Sequence, residues 1–365
     1  MAKQVKIVNL KGMKRIPGKR KIINEVLPSF SRQLSAMLNA GLPIITALET
    51  LREQADHPSF KAVLLSVQAS IENGSSFSES IMKFPTIFDA LYINMVRSGE
   101  QGGQLAETTA RLATFLESSA RLKRKVKSAM MYPVIVLCLA FAIAILLIVF
   151  VVPKFGDMFS DFGANLPGPT QALLNLSDFL QSYGIFVLAA AIVGVVMFKK
   201  WKATAAGAYK FDAFALKAPV FGMIIQKVAA ARFARTFAEL MASGVPILNA
   251  LDIVSGATGN RVAGKIILDA KDVVEKGEPL SVALLKQTVF PLMLVRMLQA
   301  GEKTGRIEEM LNSIADFYED EVETTLDGLT SLLEPLLMVF LGLIIGSIVV
   351  AMFLPIFKLG EVVSG

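Results

Sequence analysis

The sequence predicts an all-α membrane protein: two duplicated cytoplasmic antiparallel helical bundles plus three transmembrane helices. Three observations carry that prediction. There are long apolar runs without charge, the chain resembles itself at a fixed offset, and apolar residues recur at three and four with no sustained alternation. Apolar residues make up 53% of the 365-residue chain and charged residues 19%, against about 25% charge in a soluble domain. That balance argues against an ordinary cytosolic enzyme and against a disordered chain.

The first element is a basic flexible N-terminal arm, residues 1–27. It holds Lys3, Lys6, Lys11, Lys14, Arg15, Lys19, Arg20 and Lys21 against Glu25 alone, so the net charge of +6 belongs to the arm. With no apolar core or cleavage pattern it does not read as a signal peptide. Its expected use is contact with anionic membrane lipids or an acidic partner. No aromatic interleaving accompanies the charge, so no nucleic acid partner is expected.

A first cytoplasmic bundle, 28–130, leads into transmembrane helix 1 at 133–153, where Val134–Val152 carries no charge. Nineteen residues rise roughly 28 Å as a helix, about the thickness of a bilayer core. A short periplasmic loop, 154–178, precedes transmembrane helix 2 at 179–198, which Lys199, Lys200 and Lys202 close. A second bundle, 203–330, precedes transmembrane helix 3 at 335–355, and a short periplasmic tail fills 356–365. The juxtamembrane cluster Arg121, Lys123, Arg124, Lys125 and Lys127 and the Lys199–Lys202 cluster both belong inside by charge bias. Most of the mass is then cytoplasmic.

The second bundle repeats the first. A shift of 203 superimposes Phe30 on Phe233, Arg32 on Arg235, Gly41 on Gly244, Pro43 on Pro246, Gly74 on Gly277 and Ser78 on Ser281. After a one-residue slip, Gly99-Glu100-x-x-Gly103 meets Gly301-Glu302-x-x-Gly305, and Phe115 and Glu117 meet Phe317 and Glu319. The match continues through Pro133 and Pro335, which open the two spans, to Pro153 and Pro355 at their ends. Gly41 and Gly244 sit where a helix takes a left-handed C-terminal cap. Pro43 and Pro246 sit where the next helix tolerates a residue without N–H. Glu100 and Glu302 read as helix-start acids satisfying free N–H groups, or alternatively as a partner- or cation-binding corner. In the third span, Gly342-x-x-x-Gly346 forms a small-residue face for close packing against another span or subunit.

The repeats differ in charge. Residues 100–132 hold three acids and six bases, whereas 302–334 hold ten acids against Lys303 and Arg306. The basic face of one repeat is expected to dock the acidic face of the other, within or between chains, setting orientation more than affinity.

No catalytic, cofactor or metal constellation emerges. One Cys (Cys138) and one His (His57) cannot supply a disulfide, a Cys–His dyad or a zinc site. His57 reads as a surface polar residue and Cys138 as a small hydrophobe. Gly12 to Arg20 departs from a phosphate loop in spacing and lacks its Ser/Thr. The first and third spans carry no ionisable residues that would line a transport path.

Taken together, the Gly-x-Pro-Ile helix pairs, the Gly-Glu-x-x-Gly corners, Ala315-Asp-Phe317-Tyr-Glu319, and the Leu-Glu334-Pro335 and Leu354-Pro355-Ile-Phe357 segments resemble a known family. It is the inner-membrane platform proteins of type IV pilus and type II secretion machines (PilC/GspF-like), over residues 28–360, closer to the pilus branch in its C-terminal segment. The resemblance implies a non-enzymatic, cofactor-free platform in the bacterial inner membrane, a homo-oligomer as a dimer or higher. It implies that a cytoplasmic hexameric assembly or retraction ATPase works on the platform while pilin or pseudopilin subunits enter the fibre, beside other inner-membrane machine components.

Overall fold

The computed structural model describes residues 16–161 and 167–363. Among these residues there are helices and no strand. The chain divides into two compact units. One combines the residues up to Lys125 with Asp212–Val322, and the other combines Val126–Phe211 with the residues from Glu323 onward.

The first unit contains both repeats, and they match helix by helix. A single turn, α1 (Lys19–Lys21), and a π turn at Ile22–Val26 precede α2 (Leu27–Asn39), α3 (Ile44–Gln54), α4 (Pro58–Glu72), α5 (Phe77–Met82) and α6 (Ala90–Gln101). The long α7 (Leu105–Leu146) starts in this unit. A π turn at Leu147–Val151, then α8 (Val152–Asp161), α9 (Gly168–Ala203) and α10 (Ala205–Lys217) follow. The second repeat is α11 (Phe221–Ala242), α12 (Ile247–Ala257), α13 (Arg261–Glu275), α14 (Leu280–Leu285), α15 (Leu292–Thr304) and the start of α16 (Ile307–Val363).

The glycines explain why the helices stop where they do. Gly41 and Gly244 adopt φ of 81° and 73°, and Gly74 and Gly277 adopt 90° and 89°, a region open to glycine at little cost. Past each turn the chain folds back in the same pattern. Leu42 N donates to Met37 O at 3.0 Å, and Val245 N to Leu240 O at 3.0 Å. These six-to-one bonds satisfy carbonyls that a helix end leaves without donors. Pro43 and Pro246 then cap α3 and α12 in extended conformation.

Each repeat buries its own aromatic core. Phe30 meets Phe60 edge-on at 5.2 Å, beside Leu34, Leu48, Val63, Phe88 and Met95. Phe233 stacks with Phe237 at 5.5 Å and reaches Phe290 at 5.3 Å, among Leu251, Val254, Ile267 and Leu294. Fully burying one such side chain stabilises by about 1.5–3 kcal/mol.

Among the described residues, three helices are long and apolar enough to cross a membrane, and their apolar parts lie in the second unit. Ala144, Ile148 and Val152 pack with Ile348 and Met352, and Leu173, Leu174 and Leu180 of α9 complete the cluster. Elsewhere large apolar side chains face outward, with Ile185 at 83% and Phe186 at 71% exposure. An outward apolar surface of that extent is the expected solution in lipid.

Several expected boundaries differ. Residues 16–27 of the arm are ordered into helical turns that bury Ile16, Ile22 and Leu27, because those apolar residues fall on one side of the turns. Residues 1–15 of the arm lie outside the described residues. No loop separates bundle from span at 130–133 or 330–335. Pro133 and Pro335 lie inside α7 and α16, 42 and 57 residues long. The segment 154–178 is helical at both ends, since α8 runs to Asp161 and α9 begins at Gly168 rather than 179. The stripe Thr170, Leu173, Leu174, Ser177 holds that early part of α9 in helix against its neighbours. Residues 162–166 of the expected loop and 364–365 of the expected tail lie outside the described residues, and the tail from 356 to 363 continues α16.

Candidate functional site

The duplicated Gly-Glu-x-x-Gly segments build two equivalent corners. Gly99 and Gly301 lie in the last turns of α6 and α15. A Cβ on Gly99 would stand 2.6 Å from Thr108 Oγ1, and one on Gly301 would stand 2.9 Å from Ile307 Cα. Only a bare backbone lets the following helix cross so closely. Gly103 and Gly305 then turn the chain at φ of 67° and 72°.

Glu100 and Glu302 do not start helices, as the sequence suggested. Each sits near the end of its helix and reaches the N-terminus of a neighbour. The Glu100 carboxylate accepts from Phe77 N at 2.5 Å and Ser78 N at 2.9 Å. Glu302 accepts from Ser281 N at 3.3 Å and from the Ser281 hydroxyl. α5 also carries its own capping box, in which Ser76 Oγ accepts from Glu79 N and Glu79 accepts from Ser76 N, so Glu100 serves the two N–H groups between them. α14 starts after Pro279 with no side-chain cap, and Glu302 reaches its first turn. The match of Ser78 with Ser281 was the readable signal for this pairing. Among the described residues no group of three or more His, Cys, Asp or Glu could hold a metal. Glu100 and Glu302 tie the ends of α6 and α15 to the starts of α5 and α14.

A second repeated feature escaped the sequence reading, although both members stood in the alignment. Arg32 grips Glu117 through two bonds, Nε at 2.9 Å and Nη2 at 2.6 Å. Its counterpart Arg235 donates to Glu319 at 3.1 Å and also to Asp316. The hydrogen bond from Arg32 holds the Glu117 carboxyl below its ordinary value. Burial pulls the Arg235 guanidinium down, but its bonds to Asp316 and Glu319 carry it above the ordinary value.

Where the repeats meet, Arg111 Nη1 donates to Glu308 Oε1 at 3.0 Å and Arg111 also holds Glu107 at 3.1 Å. Glu239 lies nearby, half-buried, and burial is the main cause of its raised pKa; Arg111 and Arg235 pull it down and Glu308 pushes it up. The expected basic face lies further along α7. Arg121, Lys123, Arg124 and Lys127 are exposed and Lys125 is half-buried. Lys123 donates to Asn24 of the same repeat at 2.9 Å.

Two further expectations change. His57 is half-buried rather than a free surface group. Its ring packs on Gly18, where a Cβ would stand 2.2 Å from Nε2, and its Nδ1 is buried without a hydrogen-bond partner. Nothing approaches within 4 Å of a Cβ placed at Gly342 or Gly346. The buried edge of this span is Ile348 and Met352 with Ile344 beside them. Two residues, about 200° of helix, separate Gly342 from Ile344 and Gly346 from Ile348, so the glycines face away. Cys138 is exposed on the first span.

The type II secretion system protein F family matches the chain twice, over residues 30–153 and 233–355. The chain is 42% identical over 350 residues to a type IV pilus assembly protein PilC of Myxococcus xanthus, covering 96% of this chain and 84% of the relative. It is 39% identical over 366 residues to the PilC of Pseudomonas aeruginosa, covering 98% and 96%. A type II secretion system protein F of P. aeruginosa is more distant, at 33% over 334 residues and covering 92% and 82%. With the duplicated halves and apolar helices already in place, this chain belongs to the type II secretion system protein F family.

Proposed function

We propose that the protein is the inner-membrane platform of a type IV pilus assembly machine. It couples a cytoplasmic hexameric ATPase to the insertion of pilin subunits into the fibre, without enzymatic activity of its own. The observation that carries this reading is similarity to pilus assembly proteins over 96% and 98% of the chain, at higher identity than to the secretion relative. The architecture supports it. Both repeats feed into membrane-crossing helices through α7 and α16, with no helix end between bundle and span.

On this reading the bundles at 28–130 and 203–330 face the cytoplasm, the chain works as a homo-oligomer, and Gly342 and Gly346 are free to meet a second copy. The basic residues 1–27 lie near anionic lipid head groups. The duplicated corners at Gly41, Pro43, Gly99, Glu100 and Gly103, with Gly244, Pro246, Gly301, Glu302 and Gly305, hold each bundle in the shape its partners meet. The alternative is the equivalent platform of a type II secretion system, favoured by the 33% match to protein F.

Photo-crosslinking residues placed on exposed positions of α4 and α13 test the coupling. Crosslinks to the pilus ATPase that change in yield when ATP hydrolysis is blocked are expected. Crosslinks to a secretion ATPase instead would move the protein to the alternative, and none to either would remove the coupling.

A further inference from the structure

The two outer spans are related by the duplication, but α9 between them has no counterpart. Its role follows from two prolines. Pro153 and Pro355 occupy matching positions in the repeats. Proline has no N–H, so each leaves the carbonyl four residues earlier without its helical donor. At Pro355 that carbonyl is Ala351 O. The matching residue before Pro153 is Val149, which lies in the π turn Leu147–Val151, where Val152 N already reaches back five residues to Leu147 O, so the missing N–H falls at the end of that turn. In water a solvent molecule would fill the gap, but inside lipid none is at hand and an orphaned carbonyl is costly.

Both carbonyls are met from α9. Gln181 Nε2 donates to Val149 O at 2.9 Å, steadied by a contact with Ser177 Oγ at 3.3 Å. The Thr170 hydroxyl donates to Ala351 O. Thr170 and Ser177 are buried, and Leu173 and Leu174 between them and Leu180 just beyond pack on the outer spans. Val149 also lies within the π turn Leu147–Val151, where the helical ladder is already irregular. Further along α9 the side chains from Ile185 to Phe198 are exposed, so its hold on the other spans lies in its first part.

We infer that α9 is a clamp on two duplicated proline joints, in which Gln181 and Thr170 supply the donors that Pro153 and Pro355 remove. The joints are the points at which the outer helices lack a backbone donor. The clamp ties each joint to one shared helix, so the two outer helices, though separate in sequence, are held at matching points. A rearrangement that moved α9 would expose both carbonyls together and unlock both joints. This inference is independent of which machine the protein serves.

The test is a pair of double-mutant cycles on the full chain in lipid nanodiscs, read as the thermal unfolding midpoint. Gln181→Met keeps the length and removes the donor, and it is expected to lower the midpoint by roughly 2–4 °C. In a Pro153→Ala background the helix regains its own donor, and the loss should nearly vanish. Thr170→Val should behave in the same way toward Pro355→Ala. Equal losses with and without the proline would overturn the clamp. A second comparison needs no proline variant. Thr170→Val preserves shape and Thr170→Ser preserves the hydroxyl, so a bonding role predicts that Val costs more than Ser. The reverse order would mean that Thr170 only fills space.

Discussion

At the residue scale, small groups sit where the backbone leaves no choice. A carboxylate that accepts two N–H groups at a helix start contributes about 1.5–3 kcal/mol, and Glu100 does this for α5. Glu100→Ala is therefore expected to lower stability by that order, measured by chemical unfolding of the purified protein. A neutral effect would mean that water replaces the carboxylate at no cost. Gly99→Ala should also destabilise, because its Cβ would fall on Thr108, and Thr108→Ala should recover part of the loss. Gly342→Ala, with open space around it, should leave the stability of the single chain unchanged. Glu239 gives a prediction with a pH sign. Burial raises its folded pKa above the ordinary 4.5, so charging it costs the folded state as pH rises through that raised value. Glu239→Gln should raise the unfolding midpoint at pH 7, and the gain should fade below pH 4.5, where wild type is protonated in both states. A gain that ignores pH would contradict this origin.

At the element scale, helix ends were more readable than helix lengths. Gly41 and Gly244 stop helices where their left-handed preference implied, and the prolines after them start the next; Gly74 and Gly277, read only as a repeat match, do the same for α4 and α13. The internal repeat also exposed the corners at Gly99 and Gly301. What they cap was hidden, because a contact between helices 22 residues apart leaves no local periodic signal. The early part of α9, residues 168–178, falls in the expected loop for a related reason. Thr170 and Asp178 dilute the apolar run there, as Gln181 and Ser182 do at the start of the expected span, yet Thr170 and Gln181 bond carbonyls of other helices. Hydropathy counts such residues against a membrane helix, while the structure uses them to join one. The Arg32–Glu117 and Arg235–Glu319 pairs were equally visible and equally unread, since alignment of like with like does not say which unlike residues meet. The first pair is largely exposed and contributes about 0–1 kcal/mol. Core positions matter more. Phe237→Ala should cost about 3–5 kcal/mol, and it should leave the second repeat the first to exchange its amides.

At the scale of the whole molecule, duplication gives the same scaffold twice and lets its surface charge diverge. The first repeat carries Arg121, Lys123, Arg124 and Lys125 along α7, and the second carries Glu319, Asp320, Glu321 and Glu323 along α16. Arg111 and Glu308 already join the two within one chain. If the proposed homo-oligomer pairs through these charges, reversing Arg121, Lys123 and Lys125 to Glu should dissociate it, as read by size and mass in detergent, while each bundle stays folded. An intact oligomer after reversal would remove charge pairing as its basis. The central claim, a platform for pilus assembly, is tested most directly by a clean deletion of the gene in its source organism. Surface fibres and twitching would be scored beside secreted exoproteins, with complementation by the intact gene. The account predicts loss of fibres with normal secretion. Loss of secretion with fibres intact would contradict the pilus reading, and no change in either would contradict the platform itself.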